Sequence, residues 1–142
     1  MAFSIYFAHS RRLFVFPQIM SVSEHKSSLK TTVVRLRRVK GVSVQPYDVY
    51  IGRRLARGGW DLPQSKWANP FTVGSCGSAS AAVAKYKEWL AQPAQAALCA
   101  SIASELRGKR LGCWCKNKPD DPCHGDILAA IADGTSSAGS TA

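Results

Sequence analysis

Apolar and polar positions change rhythm several times along the chain, and each change marks an element. Thr31–Arg38 sets Val33, Val34 and Leu36 among arginines, a spacing that predicts a strand. Val42 to Ile51 is rich in Val, Tyr and Ile, with Pro46 in its middle. Proline cannot donate to a sheet ladder, so the second strand is expected to begin near Asp48. Gly52 to Pro70 follows as a long irregular segment with Gly58-Gly59 and two tryptophans. Loops of that length are usually functional or mobile. The period then becomes helical. Ala79, Ala82, Val83, Tyr86, Trp89 and Leu90 share one face of a helix over 78–92, with Ser78 as its N-cap. Pro93 opens a second helix, where its missing donor costs nothing. Leu98, Ile102 and Leu106 form that helix's stripe, and Gly108 ends it. Lys109 to Cys115 predicts a short strand around Leu111. Asp121-Pro122 has the form of an N-cap and a first-turn proline. The last helix is expected from about Cys123 to Asp133, with Ile127, Leu128 and Ile131 inward.

Strands separated by helices predict an α/β fold. The expectation is a small sheet of three to four strands in two or three layers, about three helices and a strand–helix–strand crossover. A length of 142 residues fits one domain, placed at 31–134. Apolar residues at 46% and charged residues at 20% are an ordinary globular balance. No run approaches the ~20 apolar residues of a membrane helix, so a multi-span protein is excluded and no membrane partner is expected.

The two ends read differently. Residues 1–30 have Glu24 as their one acid and contain Arg11, Arg12, Lys26 and Lys30. They read as a basic leader outside the fold: a transit peptide, or an extension upstream of a true start at Met20. The expected location is the cytoplasm, or a mitochondrion or other organelle if the leader is a transit peptide. Residues 135–142 are Gly, Ser, Thr and Ala alone and are expected to be disordered.

The net charge of +10 is lopsided. Residues 1–60 hold 11 Lys/Arg against 2 Asp/Glu, whereas residues 61–142 hold 8 against 7. A basic half suits an anionic partner, or reflects a solvated surface plus a leader.

The sharpest chemistry is Cys113-Trp114-Cys115, seven residues, then Cys123-His124. Five cysteines in this chain are too few for a disulfide scaffold, and three of them crowd one short window. A strand ending at Cys115 would deliver two sulfurs to the C-terminal edge of the sheet, where open α/β sheets hold ligands. Two chemistries fit. Cys113, Cys115, Cys123 and His124 are an accepted tetrahedral zinc set, although the spacing is not that of a standard finger. Alternatively, Cys123 is a reactive thiol lowered by a helix N-terminus, with His124 and Asp126 completing a catalytic group. Cys113 could also be simply a small buried apolar residue. Cys76 and Cys99 carry no functional expectation.

The basic segments offer a ligand-binding set. Arg37, Lys40, Arg53 and Lys66 could neutralise phosphate. Tyr50, Gly52, Ser65, Trp67, Asn69 and Pro70 could hold a base or sugar by stacking, close backbone approach and hydrogen bonds. Trp60 and Trp67 could instead cap the core. There is no P-loop, G-x-G-x-x-G, H-E-x-x-H or G-x-S-x-G.

Together, Arg37-Arg38-Val39-Lys40-Gly41, Tyr50-Ile51-Gly52-Arg53, Ser65-Lys66-Trp67-Ala68-Asn69-Pro70-Phe71 and Gly112-Cys113-Trp114-Cys115…Cys123-His124-Gly125-Asp126 resemble the family called domain of unknown function 4326. The resemblance runs from about residue 33 to 132. It implies a small stand-alone protein of a kind found in bacteria, phages and some eukaryotes, and it carries no activity. The Cys…Cys-His segment is also similar to that of domain of unknown function 488, which has an acidic residue at a comparable place. That likeness implies a position 115 that tolerates a carboxylate, as in an oxygen-tolerant metal site or a polar substrate pocket. Arg54–Trp60 lengthens the segment before Ser65 relative to short forms of the first family.

The expected function is an enzyme or binding protein for a nucleotide-like phosphorylated ligand, with the Cys/His group at the sheet edge. The alternative is a nucleic-acid-binding module with a structural Cys3His zinc site and no catalysis.

Overall fold

The computed structural model describes residues 29–135. The expected leader (apart from residues 29 and 30) and tail (apart from residue 135) lie outside the described residues. Three parallel strands form the main sheet, in the order β1 (Thr32–Arg35), β5 (Arg110–Cys113), β4 (Val49–Tyr50). A separate antiparallel pair, β2 (Arg38–Val39) and β3 (Val42–Ser43), forms a hairpin around Lys40-Gly41, both at positive φ. Between β4 and β5 the chain makes α1 (Val73–Cys76), α2 (Ala79–Leu90), a 3-10 turn (Pro93–Gln95) and α3 (Ala96–Leu106). After β5 it ends in α4 (His124–Ala132). This is the expected α/β class, with the crossover carried by helices.

Central β5 decides the layering. Leu111 and Cys113 are buried in one core with Tyr86 and Leu90 of α2, Ile102 and Leu106 of α3, and Leu128 and Ala132 of α4. Gly112 points the other way, where Leu36 and Tyr47 close over it; an added Cβ would sit 3.0 Å from each. Helices therefore cover one face and the segment around Tyr47 covers the other.

Sequence and structure agree at the Ser78 cap, whose side chain accepts from the Ala81 amide, and at Gly108, which follows α3 at a φ of 71°. Three details differ. The long first strand shortens to β1, because the chain turns away into the hairpin after Leu36. Asp121 does not cap the last helix. Its carboxylate accepts from the Asn117 and Lys118 amides at 2.9 and 2.8 Å and closes the loop before the helix. Cys123 is the N-cap instead. Helix α1 had no periodic signal, being one turn long and held by a Thr72–Ser75 capping box. No helix among the described residues is long and apolar enough to cross a membrane.

Candidate metal centre

β5 ends at Cys113, and the backbone bends through Trp114 so that the Cys115 amide donates to Cys113 Sγ at 3.4 Å. The loop braced by Asp121 then returns the chain to the same sheet edge. At the helix start, Cys123 Sγ accepts from the Gly125 amide at 3.3 Å.

The four side chains converge. Their donor atoms all lie within 4.8 Å of one another. Cys113 Sγ is 3.0 Å from Cys115 Sγ and 3.4 Å from Cys123 Sγ. His124 Nδ1 is 3.5 Å from Cys115 Sγ and 3.9 Å from Cys113 Sγ. All five cysteines are free thiols. A tetrahedron with ~2.3 Å metal–sulfur bonds has sulfur–sulfur edges of about 3.8 Å, so the spacing is close to what one ion requires.

His124 is positioned from its far side. Its Nε2 lies 2.8 Å from the Ile51 carbonyl oxygen, which can only accept. Nε2 therefore carries the hydrogen, and in the neutral ring Nδ1 keeps its lone pair toward the sulfurs. A backbone carbonyl on the outer nitrogen is the usual support of a metal-ligating histidine. Tyr86 packs edge-on against the ring, with centroids 5.2 Å apart. Cys113, Cys123 and His124 are buried, and Cys115 is exposed.

The electrostatics are those of one coupled group. Burial opposes charge on the His124 ring, yet hydrogen bonding to Cys113 and Cys115 outweighs it and holds the pKa up to about 10. Hydrogen bonds from Cys113 and Cys123 hold Cys115 far below the ordinary thiol range. Cys123 is pushed up, first by its hydrogen bonding to Cys113 and Cys115 and then by burial. Among the described residues, these four could hold a metal ion.

Beside the cluster lies a cavity of about 170 Å³, lined among others by Gly52, Arg53, Asn69, Phe71, Trp114 and Cys115. The sequence-derived ligand set divides around it. Gly52, Arg53 and Asn69 line the cavity, but both ends of the Asn69 amide are committed, to Ala82 O at 3.1 Å and Phe71 N at 2.9 Å. The Ser65 hydroxyl accepts from the Trp67 amide at 3.2 Å. Lys66 pairs with Glu105 at 2.7 Å and lies over the Trp67 ring. Trp67 is a core residue, 3% exposed, whose carbonyl accepts from Tyr86. Pro70 is exposed at the end of that segment. Arg37 and Lys40 are exposed on the hairpin or its approach and do not line the cavity. Asp126 is not one of the cavity's lining residues; it pairs with Lys116 at 2.9 Å. Tyr50 meets the site through its hydroxyl, which accepts from Trp114 Nε1 at 2.9 Å and donates to the Arg53 carbonyl.

Two contributors carried no chemical signal in the sequence. Ile51 acts through its carbonyl, which any residue would supply. Trp114 was visible only as the spacer between two cysteines.

The chain is 42% identical over 108 residues to an uncharacterised protein of Acanthamoeba polyphaga mimivirus, covering 70% of this chain and 77% of that one. It is 33% identical over 104 residues to an uncharacterised 12.4 kDa protein in the nrdA-td intergenic region of Enterobacteria phage T4, covering 72% and 83%. No solved structure matches the chain. The family described as Domain of unknown function (DUF4326) matches residues 34–134, from within β1 through the Cys/His group to just past α4, and the chain belongs to that family.

Proposed function

We propose that this protein is a zinc-stapled binding module whose basic face takes nucleic acid. One observation carries the zinc: three sulfurs and His124 Nδ1 converge, with the imidazole turned to them by the Ile51 carbonyl. Zinc is the ion that a compact set of three thiolates and one imidazole favours. Four protein donors fill a tetrahedron, which is the pattern of structural rather than catalytic zinc. The ion would join the end of β5 to the start of α4. Charge supports the partner. Between residues 30 and 60 there are eight Lys/Arg and one acid, Asp48, and Asp48 is paired with Arg110.

The test is metal content by native mass spectrometry on the full chain purified without chelator. One zinc per chain, lost in Cys115→Ser, is expected. A chain that carries no metal and takes none up from equimolar zinc overturns the zinc half. Absence of any nucleic-acid binding at ~50 mM salt overturns the other half.

A second reading has its own observation. Arg53 and Cys115 border the 170 Å³ cavity, which suits a small phosphorylated molecule better than a whole nucleotide. It predicts calorimetric binding of inorganic phosphate or a sugar phosphate that disappears in Arg53→Ala.

A further inference from the structure

A second concavity, about 610 Å³, shares Arg53 and Trp114 with the first. It is lined by Arg53, Arg54, Leu55, Arg57, Trp60 and Trp114, with Gly58 at the turn. The sequence motifs assigned no ligand role to Arg54, Arg57 or Trp114, and read Trp60 at most as a cap on the core. We propose that this cleft is a stacking site for single-stranded nucleic acid; this rests on the nucleic-acid reading above and names its place and its ligand form.

The loop is built rather than loose. Leu55 and Leu62 form an antiparallel bridge, with amide–carbonyl distances of 3.0 and 2.9 Å. The Trp60 amide closes the turn onto the Arg57 carbonyl at 3.1 Å, and Gly58 and Gly59 supply the two positive φ values it requires. The Arg54 amide is held by the Gln64 side chain at 3.0 Å. This bracing prepays part of the ordering cost of binding.

The side chains suit a base and its phosphates. Trp60 and Trp114 meet edge-to-face, with centroids 5.0 Å apart and planes at 87°. The Trp114 indole N–H is already satisfied by Tyr50, so the ring offers apolar surface. The Arg38 guanidinium lies 4.8 Å from the Trp60 ring centre. Arg53, Arg54 and Arg57 are exposed, and among the described residues none of the three is in an ion pair. Asp61 is the one acid of this loop. Aromatic faces ringed by unpaired cations track single strands, because bases can stack only when unpaired. A duplex hides its base faces and would use the arginines alone.

The experiment is anisotropy of a labelled twelve-nucleotide dT strand, against a twelve-base-pair duplex, with the zinc-loaded full chain at ~50 mM salt. The single strand is expected to bind at least ten-fold more tightly. Its log affinity should fall with log salt at a slope of about −2, as for three phosphates on a single strand. Trp60→Ala should weaken binding roughly ten-fold or more. Arg54→Ser with Arg57→Ser should flatten the slope by about 1.4, and these exposed positions keep the test valid if Trp60→Ala misfolds. Equal affinity for the duplex overturns the cleft but leaves the nucleic-acid face standing. Unchanged binding in the arginine double variant also overturns the cleft. Strand binding by a chain that never takes up zinc supports the cleft and removes the zinc reading instead.

Discussion

The Nε2 of His124 and the carbonyl oxygen of Ile51, 2.8 Å apart, join the first residue of α4 to the residue just after β4. They are 73 positions apart in sequence. That bond turns the imidazole's other nitrogen toward sulfurs delivered by β5. Thus the centre is a junction of two parallel strands and a helix, and losing it should be felt through the whole edge of the sheet.

The first prediction follows from that junction. Cys113→Ser or His124→Ala removes one donor, and the remaining three hold the ion far less well. At free zinc a thousand-fold above the dissociation constant, an ion that binds only the folded chain adds about 4 kcal/mol. In a domain of about a hundred residues, each 1 kcal/mol moves the thermal midpoint by about 4–8 °C. Either variant, or chelator on the parent, should lower the midpoint by at least about 15 °C. A scan with and without chelator measures it, and coincident midpoints would mean that the cluster does not hold the fold.

Tyr86→Phe tests the support behind the imidazole. The buried hydroxyl donates to the Trp67 carbonyl at 2.8 Å, and its removal leaves that carbonyl unpaired in the core. The ring that packs on His124 is retained. The expected result is a loss of about 1–3 kcal/mol in urea unfolding with zinc stoichiometry unchanged. Loss of zinc together with stability would show that the hydroxyl, and not only the ring, positions His124.

Gly125→Ala tests the approach of α4 to the sheet. An added Cβ would meet Ile51 Cδ1 at 2.8 Å and the Val33 methyls at 3.0 and 3.1 Å. Gly125 sits in the helix, so its backbone alone would welcome alanine. Crowding should win, because Ile51 is fully buried and Val33 packs against the same core. A net loss of about 1–3 kcal/mol is expected by urea unfolding. A stabilised variant would show that the helix stands further from β1 than this packing allows.

The legible part of the molecule was the part with local causes. The stripe Ala82, Tyr86, Leu90 and the Ser78 cap lie within one helix, so their spacing is read directly from the chain. The Cys/His group was legible as a spacing, since Cys113 and Cys115 share a strand end and Cys123-His124 a helix start. Partners set by tertiary contact were not legible. Lys66 meets Glu105 across 39 positions, and Trp67 turns into the core, so a phosphate-and-base motif in sequence becomes a packing motif in space. Asp121-Pro122 looked like a helix cap because an Asp N-cap accepts from amides two or three residues further on; here the carboxylate reaches back instead, to the Asn117 and Lys118 amides. Which amides it meets depends on where the chain turns next.

The last prediction concerns pH and lies away from the metal. Asp48, just before β4, takes hydrogen bonds from the Arg110 guanidinium at 2.8 and 3.0 Å and from the Arg110 amide at 2.8 Å. Arg110 opens β5, so the pair sets the register of the two strands. The guanidinium, first, and the amide hold the Asp48 carboxyl well below the usual carboxylate range. A depressed folded pKa contributes stability that is fully present above the unfolded carboxyl's pKa of about 3.9. That contribution drains as pH falls from there toward the folded value. Asp48→Asn keeps a neutral acceptor for the amide, removes the charge and turns the other oxygen, which accepts from the guanidinium, into a donor. Parent and variant share every other acid-sensitive group, zinc ligands included, so their difference isolates this pair. Urea midpoints for both chains at pH 6, 4, 3 and 2 should show the parent ahead at pH 6 and the gap closing below pH 4. The gap should also narrow in high salt, because the pair faces solvent. A gap that stays constant from pH 6 to 2 would assign the deficit to the geometry of the amide rather than to the ion pair.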